Sequence, residues 1–375
     1  MKKLFAFLTV LAIISVLAEC IPRTLTVATQ EVPQAATQSP GKRPYWPTKE
    51  WQVTTPEKQD MDVNGLNQIT SYVQDSGLDV NSVIVIRHGY IVYERYFRAS
   101  WNKDKVHNIH SCTKSVMGSL VGIAVQQGKI KSLDDKLVDY FPKRTIQNLD
   151  ERKRSITLFN LMTMKGGFDW AEWKYPYSDP RNPWIQALRS DDTIQFVLDK
   201  PMATQPGTVW AYNGGYSQIF SAIVTDKTGM NTLEFAKQYL FNPLGITEFT
   251  WRRDRQGIYD AGGGLMLTPR DMAKYGYLIL NKGVWEGKQI IPADFVAQSV
   301  KTQTLFNTNS GYGYESWWTI PPDGYYYAAG IMGQRIYVME KQDMVVVTTG
   351  NLPEDSQTGI KMLKIAQYAI SACKQ

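Results

Sequence analysis

Residues 82–97 read SVIVIRHGYIVYERYF. Two runs rich in β-branched and aromatic residues, 83–86 and 91–93, flank a short turn-like segment, and this pattern is typical of a β-hairpin. A second pair of such runs, 334–338 and 344–348, lies near the other end of the chain. Because strands come from both ends, we predict one antiparallel sheet assembled from the two termini.

Between the two hairpins, apolar residues recur at the spacing of an α-helix. The segments with this pattern are 115–127, 184–199, 216–228, 232–240 and 269–282. The tail, from about residue 356 to residue 372, predicts one more amphipathic helix. Strands at both ends with helices between them predict an α+β architecture, in which helices flank the sheet and a mostly helical subdomain at about 115–310 is inserted.

The composition limits the class of protein. The 375 residues include 41 basic and 35 acidic side chains, for a formal charge of +6, so electrostatics give no reason to expect a nucleic acid partner. Hydrophobic residues make up 43% and charged residues 20%, which is an ordinary globular mixture. With three histidines and three cysteines in the chain, we expect no metal site, no disulfide framework and no cofactor.

The amino terminus is typical of a targeting segment. Two lysines follow Met1, and residues 4–18 are almost wholly apolar but too short to span a bilayer comfortably. We therefore predict a signal peptide over 1–18 and an exported protein, located in the periplasm, outside the cell or on the envelope. The sequence around Cys20 also resembles a lipoprotein box, so lipidation of Cys20 stays open. The proline-rich residues 19–60 predict a linker.

A Ser-x-x-Lys spacing places a hydroxyl and an amine one helical turn apart, where the lysine can help to deprotonate the serine. The chain has this spacing four times, beginning at Ser39, Ser100, Ser111 and Ser371. Only Ser111 opens a strongly amphipathic helix, and backbone N–H groups near a helix amino end favour developing negative charge. From local sequence alone, Ser111 is either a nucleophile paired with Lys114 or a helix cap.

Other catalytic motifs fit less well. Gly215 and Ser217 are followed by Ile219, where the elbow of an α/β-hydrolase needs glycine. His107 and His110 form His-x-x-His, but no Glu follows the first histidine as the zinc-protease motif requires. These two readings are therefore set aside.

Residues 110–116, HSCTKSV, resemble the nucleophile segment of the serine β-lactamase and penicillin-binding-protein superfamily. Further segments resemble later signatures of that superfamily in the same order, namely 156–167, 206–212, 261–271 and 330–334. The resemblance covers about residues 61–375 and is closest to the class C β-lactamase-like branch. Within it, the chain is more similar to esterases and 6-aminohexanoate-dimer (nylon-oligomer) hydrolases than to true β-lactamases. The resemblance implies a β-lactamase/transpeptidase-like fold, in which 330–334 leads into the active-site edge strand.

The resemblance also implies roles for particular residues. Ser111 would be the nucleophile, Lys114 its activating neighbour and Tyr212 the general base and acid, because a nearby ammonium stabilises a phenolate. The backbone N–H groups of Ser111 and Ile331 would form the oxyanion hole. Ser111 would be acylated, and the acyl-enzyme would then be hydrolysed.

The sequence departs from the family pattern at two places. The second motif is often Tyr-x-Asn, but Gly214 stands at the Asn position and Asn213 comes one residue early. The third motif usually begins with Lys or His, whereas this chain has Ala328-Ala329-Gly330. Because that cation would hold the carboxylate of a β-lactam or peptidoglycan substrate, we expect a small-molecule ester or linear amide instead. A D-alanyl peptidase or β-lactamase and a non-catalytic surface binding module are the alternatives.

Aromatic residues cluster where the resemblance places the walls of the site. We expect substrate contacts from Trp170, Tyr175, Tyr177, Trp318 and Asn213, although packing in the core is an alternative for the aromatic residues. The acidic residues Asp169, Glu172 and Asp179 fit best on a solvated loop.

Overall fold

The computed structural model describes residues 43–307, 310–320 and 323–374. The predicted signal peptide, Cys20 and the first part of the predicted linker lie outside the described residues. In the described ranges, no helix is both long and apolar enough to cross a membrane.

Strands from both ends of the chain form the main sheet, as predicted. The strands are β1 (Val80–Arg87), β2 (Tyr90–Tyr96), β3 (His107–Asn108), β4 (Phe249–Trp251), β5 (Leu265–Leu267), β6 (Val284–Trp285), β7 (Lys288–Gln289), β8 (Thr304–Asn307), β9 (Ser310–Tyr312), β10 (Trp317–Ile320), β11 (Tyr325–Ala329), β12 (Arg335–Met339) and β13 (Met344–Gly350). The eight-stranded sheet has the order β2-β1-β13-β12-β11-β10-β9-β8, while β3-β5-β4 and β6-β7 form two small sheets.

The two predicted hairpins are joined side by side and form one half of this sheet. The carboxyl-terminal strand β13 pairs antiparallel with β1 on one side and with β12 on the other, with Val346 opposite both Val85 and Tyr337. All eight residues of β1 are buried, since both faces of the sheet are covered. The sequence predicted that the strand after 330–334 lies at the edge, but β12 lies inside the sheet, because β8–β11 extend it further.

Helices cover both faces of the sheet. They are α1 (Val63–Asp75), α2 (Cys112–Gln126), α3 (Glu151–Ser155), α4 (Leu158–Met162), α5 (Pro183–Arg189), α6 (Thr193–Leu198), α7 (Gly214–Thr228), α8 (Thr232–Ala236), α9 (Asn242–Leu244), α10 (Pro269–Leu280), α11 (Ala293–Val300) and α12 (Ser356–Ser371). Two apolar clusters result. The smaller includes residues of α1, α12 and one sheet face, and the larger includes residues of α2, α7, α10 and the other face.

The predicted helix at 184–199 is two helices, α5 and α6. The break falls at 190–192, where the side chain of Asp192 accepts a hydrogen bond from the backbone N–H of Gln195 and begins a new helix. Asp192 also forms an ion pair with Arg144. An aspartate at this position favours a helix start over helix continuation, since its side chain satisfies a free N–H group. The correction therefore concerns this one segment.

The last part of the predicted linker packs on the folded body. Arg43 forms a two-pronged hydrogen-bonded ion pair with Asp343, which follows β12. Trp46 and Trp51 each lie with their ring centroid 5.7 Å from that of Tyr277 on α10. Burial of these aromatic surfaces fixes residues 43–51 against the domain.

Candidate active site

Ser111 lies at the amino end of α2, immediately after a residue with a left-handed backbone conformation. His110 has a φ of 47°, which is in the left-handed region, and its backbone N–H donates to Asn108 Oδ1 at 2.8 Å. Ser111 occupies the N-cap position, but its hydroxyl caps no N–H group of the described chain. The helix-cap alternative therefore does not explain this serine, whose side chain is left for another contact.

Lys114 supplies that contact. Its ammonium Nζ donates to Ser111 Oγ at 3.1 Å and also to the carbonyl oxygen of Gly262. The residue is 1% exposed and lies inside the protein with Ser111, which is 8% exposed. The Gly-rich segment predicted as a later signature thus meets the nucleophile segment at this lysine.

The surroundings keep Lys114 charged. Burial alone would lower the pKa of Lys114, but Tyr212, Glu172 and Glu315 together outweigh it and leave the pKa raised. The phenol oxygen of Tyr212 and the carboxylate of Glu172 therefore favour the ammonium form, and Glu315 adds a smaller effect.

Tyr212 is a second neighbour of the Lys114 ammonium. Lys114 Nζ lies 4.8 Å from the centroid of the Tyr212 ring. The Tyr212 hydroxyl is within 3.3 Å of Ser316 Oγ, and Ser316 has a left-handed φ of 66°. The predicted triad of Ser111, Lys114 and Tyr212 is therefore brought together around one buried ammonium.

Glu172 is a site residue that the sequence reasoning placed on a solvated loop. It is instead buried, and its carboxylate accepts from Trp170 Nε1 at 2.8 Å, from Tyr177 Oη at 2.7 Å and from the backbone N–H of Gly214 at 2.6 Å. Burial and the neighbouring Glu172 charge raise the pKa of Tyr177 well above its usual value, so this phenol stays a donor. The carboxylate links the loop at 170–177 to the start of α7.

The same contact explains the departure at the second motif. A Cβ atom at Gly214 would lie 2.9 Å from the ring of Trp184 and 3.3 Å from Glu172 Oε2. The space that a side chain would need there is already filled. Asn213 is fully buried, and its Oδ1 accepts from the backbone N–H of Gly215, which caps α7.

A second buried acidic side chain, Glu315, lies near Lys114. It has a left-handed φ of 39°, and Ser217 Oγ donates to its Oε2 at 2.5 Å. Burial raises the pKa of Glu315 to about 8, against opposing effects from Ser217 and Lys114. Its Oε1 is buried without a hydrogen-bond partner in the described structure. No motif in the sequence identified this residue.

The turn at Ile331 is rigid, so its backbone N–H group can act as a fixed hydrogen-bond donor. Met332 has a φ of 61° and Gly333 a φ of 96°, and the backbone N–H of Gly330 donates to the carbonyl of Gln334 at 2.9 Å. Arg335 Nη1 donates to the carbonyl oxygens of Gly330 and Gln334, which bracket the turn. Among the described residues, the backbone N–H of Ile331 has no acceptor.

A cleft of about 720 Å³ joins these parts. Ser111, Tyr212 and Ile331 line it together with the predicted substrate-contact residues Tyr175, Tyr177 and Trp318, and Lys114 lines an adjoining recess of about 330 Å³. Trp170 and Asn213 do not lie on its surface. Both were predicted to touch substrate, but they are buried behind the wall, where Trp170 supports Glu172 and Asn213 caps α7.

Trp173, another member of the aromatic cluster that the sequence analysis places at the walls of the site, completes the aromatic wall. Its ring stacks on Tyr212 at 5.0 Å between centroids and on Trp318 at 6.0 Å, yet 59% of the residue is exposed. The sequence identifies Trp173 only as one of several clustered aromatic residues, and the structure shows that it lines the cleft.

The residues on either side of Ser111, His110 and Cys112, are both uncharged near pH 7. Burial, with Arg252 and Lys114 nearby, lowers the pKa of His110 to about 4, so the imidazole is neutral near pH 7. Burial raises the pKa of the Cys112 thiol to about 12. Within the described ranges, no group of His, Cys, Asp and Glu is arranged to hold a metal ion.

Comparison with known proteins agrees with this geometry. The sequence profile of the Beta-lactamase family matches residues 67–367. The 6-aminohexanoate-dimer hydrolase of Paenarthrobacter ureafaciens is 24% identical over an alignment of 297 positions that covers 73% of this chain and 73% of that protein. The lovastatin esterase of Penicillium rubens is 30% identical over an alignment of 106 positions that covers 26% of this chain and 25% of that protein.

The fold is shared with solved structures. A candidate 6-aminohexanoate-dimer hydrolase from Bacillus anthracis superposes with a TM-score of 0.70 at 23% identity, covering 87% of this chain and 89% of that one. The relatives named for an activity are therefore hydrolases, and the antiparallel sheet flanked by helices is the common architecture.

Proposed function

Because the chain belongs to the Beta-lactamase family and is an enzyme of its serine-hydrolase type, we propose that it is an exported hydrolase that cleaves an ester or a linear amide through an acyl-enzyme on Ser111. The observation that carries the proposal is the 3.1 Å contact between Lys114 Nζ and Ser111 Oγ in a buried, charged surrounding. A serine held by an ammonium beside a tyrosine is an activated nucleophile.

The acylation step follows from the three side chains. Tyr212, as a phenolate stabilised by the Lys114 ammonium, takes the proton of Ser111 while the serine oxygen bonds to the substrate carbonyl carbon. The resulting phenol then gives that proton to the leaving alcohol or amine as its bond to the carbonyl carbon breaks. In the second half, the phenolate takes a proton from water, the hydroxide attacks the acyl carbon, and Ser111 leaves and recovers the proton.

The oxyanion needs donors at the point where negative charge develops. The proposed donors are the backbone N–H of Ser111, at the positive end of α2, and that of Ile331, in the turn between β11 and β12. The rigidity of the turn supports Ile331 as a donor, because Arg335 donates hydrogen bonds to the carbonyl oxygens of Gly330 and Gln334 on either side of the turn.

The substrate class is inferred from what the third motif lacks. Ala328 is fully buried, and neither it nor Ala329 brings the Lys or His that begins this motif in β-lactamases and peptidases. A β-lactam or D-alanyl peptide is therefore a poorer fit than an ester or linear amide, the classes suggested by the two hydrolase relatives. From the sequence pattern of the amino terminus, we also propose export, a small-molecule partner, and contact with the membrane only through the signal peptide or an anchor at Cys20.

The test is covalent labelling by a fluorophosphonate, with the adduct located by peptide mass spectrometry. The expected result is an adduct on Ser111 that penicillin does not block. Ser111→Ala should abolish labelling and turnover, whereas Ser100→Ala, which removes an exposed serine with the same spacing to Lys103, should change neither. A folded wild-type protein that takes no label would contradict the proposal, and blocking by penicillin would favour the β-lactamase or peptidase alternative.

A further inference from the structure

We propose that Ser316 is a positioning residue for Tyr212, because its buried hydroxyl donates a hydrogen bond to the Tyr212 oxygen and holds that oxygen where it can take the proton of Ser111. This inference rests on the proposed hydrolase function and adds to it a residue outside the three side chains of the acylation step. No motif in the sequence identifies Ser316, which lies between β9 and β10 and outside the segments that resemble family signatures.

The segment that carries Ser316 is anchored to three helices. The backbone N–H of Glu315 donates to the carbonyl of Met162, the last residue of α4, at 3.0 Å. Ser115 Oγ on α2 donates to the Glu315 carbonyl at 3.1 Å, and Ser217 Oγ on α7 donates to the Glu315 carboxyl group at 2.5 Å. Glu315 and Ser316 have left-handed φ values of 39° and 66°, which are uncommon for residues other than glycine. Because such backbone persists only where its surroundings hold it, the Ser316 side chain has a fixed direction.

The hydrogen bonds around Ser316 favour its hydroxyl as the donor to Tyr212. The backbone N–H of Ser316 donates to the Tyr312 hydroxyl at 2.6 Å, and the Ser316 side chain also forms a hydrogen bond with that hydroxyl. Burial raises the pKa of Tyr312 well above its usual value, so this phenol keeps its proton and can donate it to Ser316 Oγ. The proton of the Ser316 hydroxyl is then left for Tyr212.

The contact between Ser316 and Tyr212 suits a charged acceptor. Its oxygen–oxygen distance of 3.3 Å is longer than a usual O–H···O bond. A hydrogen bond of this kind becomes shorter and stronger when its acceptor is ionised, and the hydrogen bonds of reacting groups often tighten only during the reaction. The contact therefore contributes most at the step in which Tyr212 is a phenolate.

Three elements bring charged and titratable groups to Tyr212 and its neighbour Lys114. These groups are Lys114 on α2, Glu172 and Tyr177 in the loop at 170–177, and Tyr312 and Glu315 in and after β9. Replacing Ser316 with glycine keeps all of them. A change in the pH dependence of the reaction can then be assigned to the lost hydroxyl.

The experiment measures the rate at which a fluorophosphonate labels Ser111, as a function of pH. The Ser111 oxygen bonds to phosphorus while fluoride leaves, so labelling requires Tyr212 to take a proton but not to donate one. Ser316→Gly removes the hydroxyl, and glycine adopts the left-handed φ without strain. Near neutral pH we expect labelling to be about tenfold slower, with the acidic limb of the rate profile moved by about one unit to higher pH. The rate should approach that of wild type as the pH rises, and Ser316→Cys, which keeps a weak S–H donor, should give an intermediate shift.

Ser119→Ala is the matched control. It removes another buried serine hydroxyl from a tyrosine, since Ser119 Oγ lies 2.8 Å from the hydroxyl of Tyr275, which is outside the proposed site. This variant should change neither the labelling rate nor the acidic limb, and Ser316→Gly should unfold in urea near the wild-type midpoint. A rate in Ser316→Gly that equals wild type, or that falls by the same factor at every pH, would overturn the inference. A wild-type protein that takes no label on Ser111 would instead contradict the proposed hydrolase function.

Discussion

The ring of Trp173 stacks on the ring of Tyr212, with centroids 5.0 Å apart and planes 20° from parallel. Tyr212 is buried, whereas Trp173 is largely exposed. The Trp173 ring therefore covers one face of Tyr212, the proposed general base. The rest of the Trp173 ring is exposed to molecules that enter the cleft. A substrate with an aromatic or long acyl group would meet this surface before it reached Ser111.

This relationship predicts the effect of Trp173→Ala. We expect KM for an aryl ester to rise by about 3- to 10-fold, since an aromatic stack contributes about 0.5–1.5 kcal/mol. Because Trp173 is 59% exposed, the free energy of unfolding should change by less than about 1 kcal/mol. Steady-state kinetics and urea unfolding check both values. Trp173→Phe should restore most of the binding, and an unchanged KM in the alanine variant would contradict the stacking role.

Glu172→Gln removes the charge of a buried carboxylate and keeps its hydrogen bonds. Glutamine can still accept from Trp170 and Gly214 through its oxygen and can donate to the Tyr177 hydroxyl, so the geometry should persist. Glu172 helps to raise the pKa of Lys114, and its removal should lower that pKa. We therefore expect the alkaline limb of the kcat/KM profile to move to lower pH, with little loss of stability.

The matched comparison is Glu172→Ala, which removes the hydrogen bonds as well. That variant should lose stability by about 1–3 kcal/mol, since buried donors are left without partners. If Glu172→Gln left the alkaline limb in place, the Glu172 carboxylate would have no electrostatic effect on Lys114.

Glu315→Gln should change how stability depends on pH. The pKa of Glu315 is raised to about 8 in the folded protein, above its ordinary value of 4.5. Between these values the folded state holds a proton that the unfolded state has released, so this group makes stability fall as pH rises. Glutamine cannot titrate, and Ser217 can still donate to its oxygen.

The measurement is the difference in unfolding free energy between Glu315→Gln and wild type at pH 5 and pH 8.5. That difference should shift in favour of the variant at the higher pH by an amount on the order of a few kcal/mol. Ser217→Ala, which keeps the carboxyl group, should retain the wild-type direction of the pH dependence. A difference that does not vary with pH would show that Glu315 ionises normally.

His107 and His110 predict a loss of stability in acid. Burial lowers the pKa of each to about 4, below the ordinary 6.5. Below pH 6.5 the unfolded chain takes up protons that the folded protein excludes, so stability falls until about pH 4, by up to about 3 kcal/mol for each histidine. His107→Gln should remove part of this fall in chemical unfolding at pH 7, 5.5 and 4.5. His88→Gln, at a less buried position, should remove less, and equal effects from both variants would contradict the prediction.

The parts of the fold and site that sequence could predict are those set by local pattern. The strands of the hairpin at 82–97 could be predicted from their residue types. The proximity of Ser111 and Lys114 could be predicted from their helical spacing. Glu172 and Glu315 carry no such signal, because their burial depends on contacts with α7 and with Lys114 that join distant segments. Trp170 was misplaced for the same reason, since an aromatic residue in a loop can face either side of a wall.

The pairing of β1 with β13 has a consequence for how the chain reaches its native state. Asn81 and Asn351 share a hydrogen bond although 270 residues separate them. Such a closure has a large entropic cost and gives the sheet a high contact order, which slows folding. A chain made amino end first presents the apolar β1–β2 hairpin long before its partner exists, so one strand edge stays open to aggregation until synthesis is nearly complete.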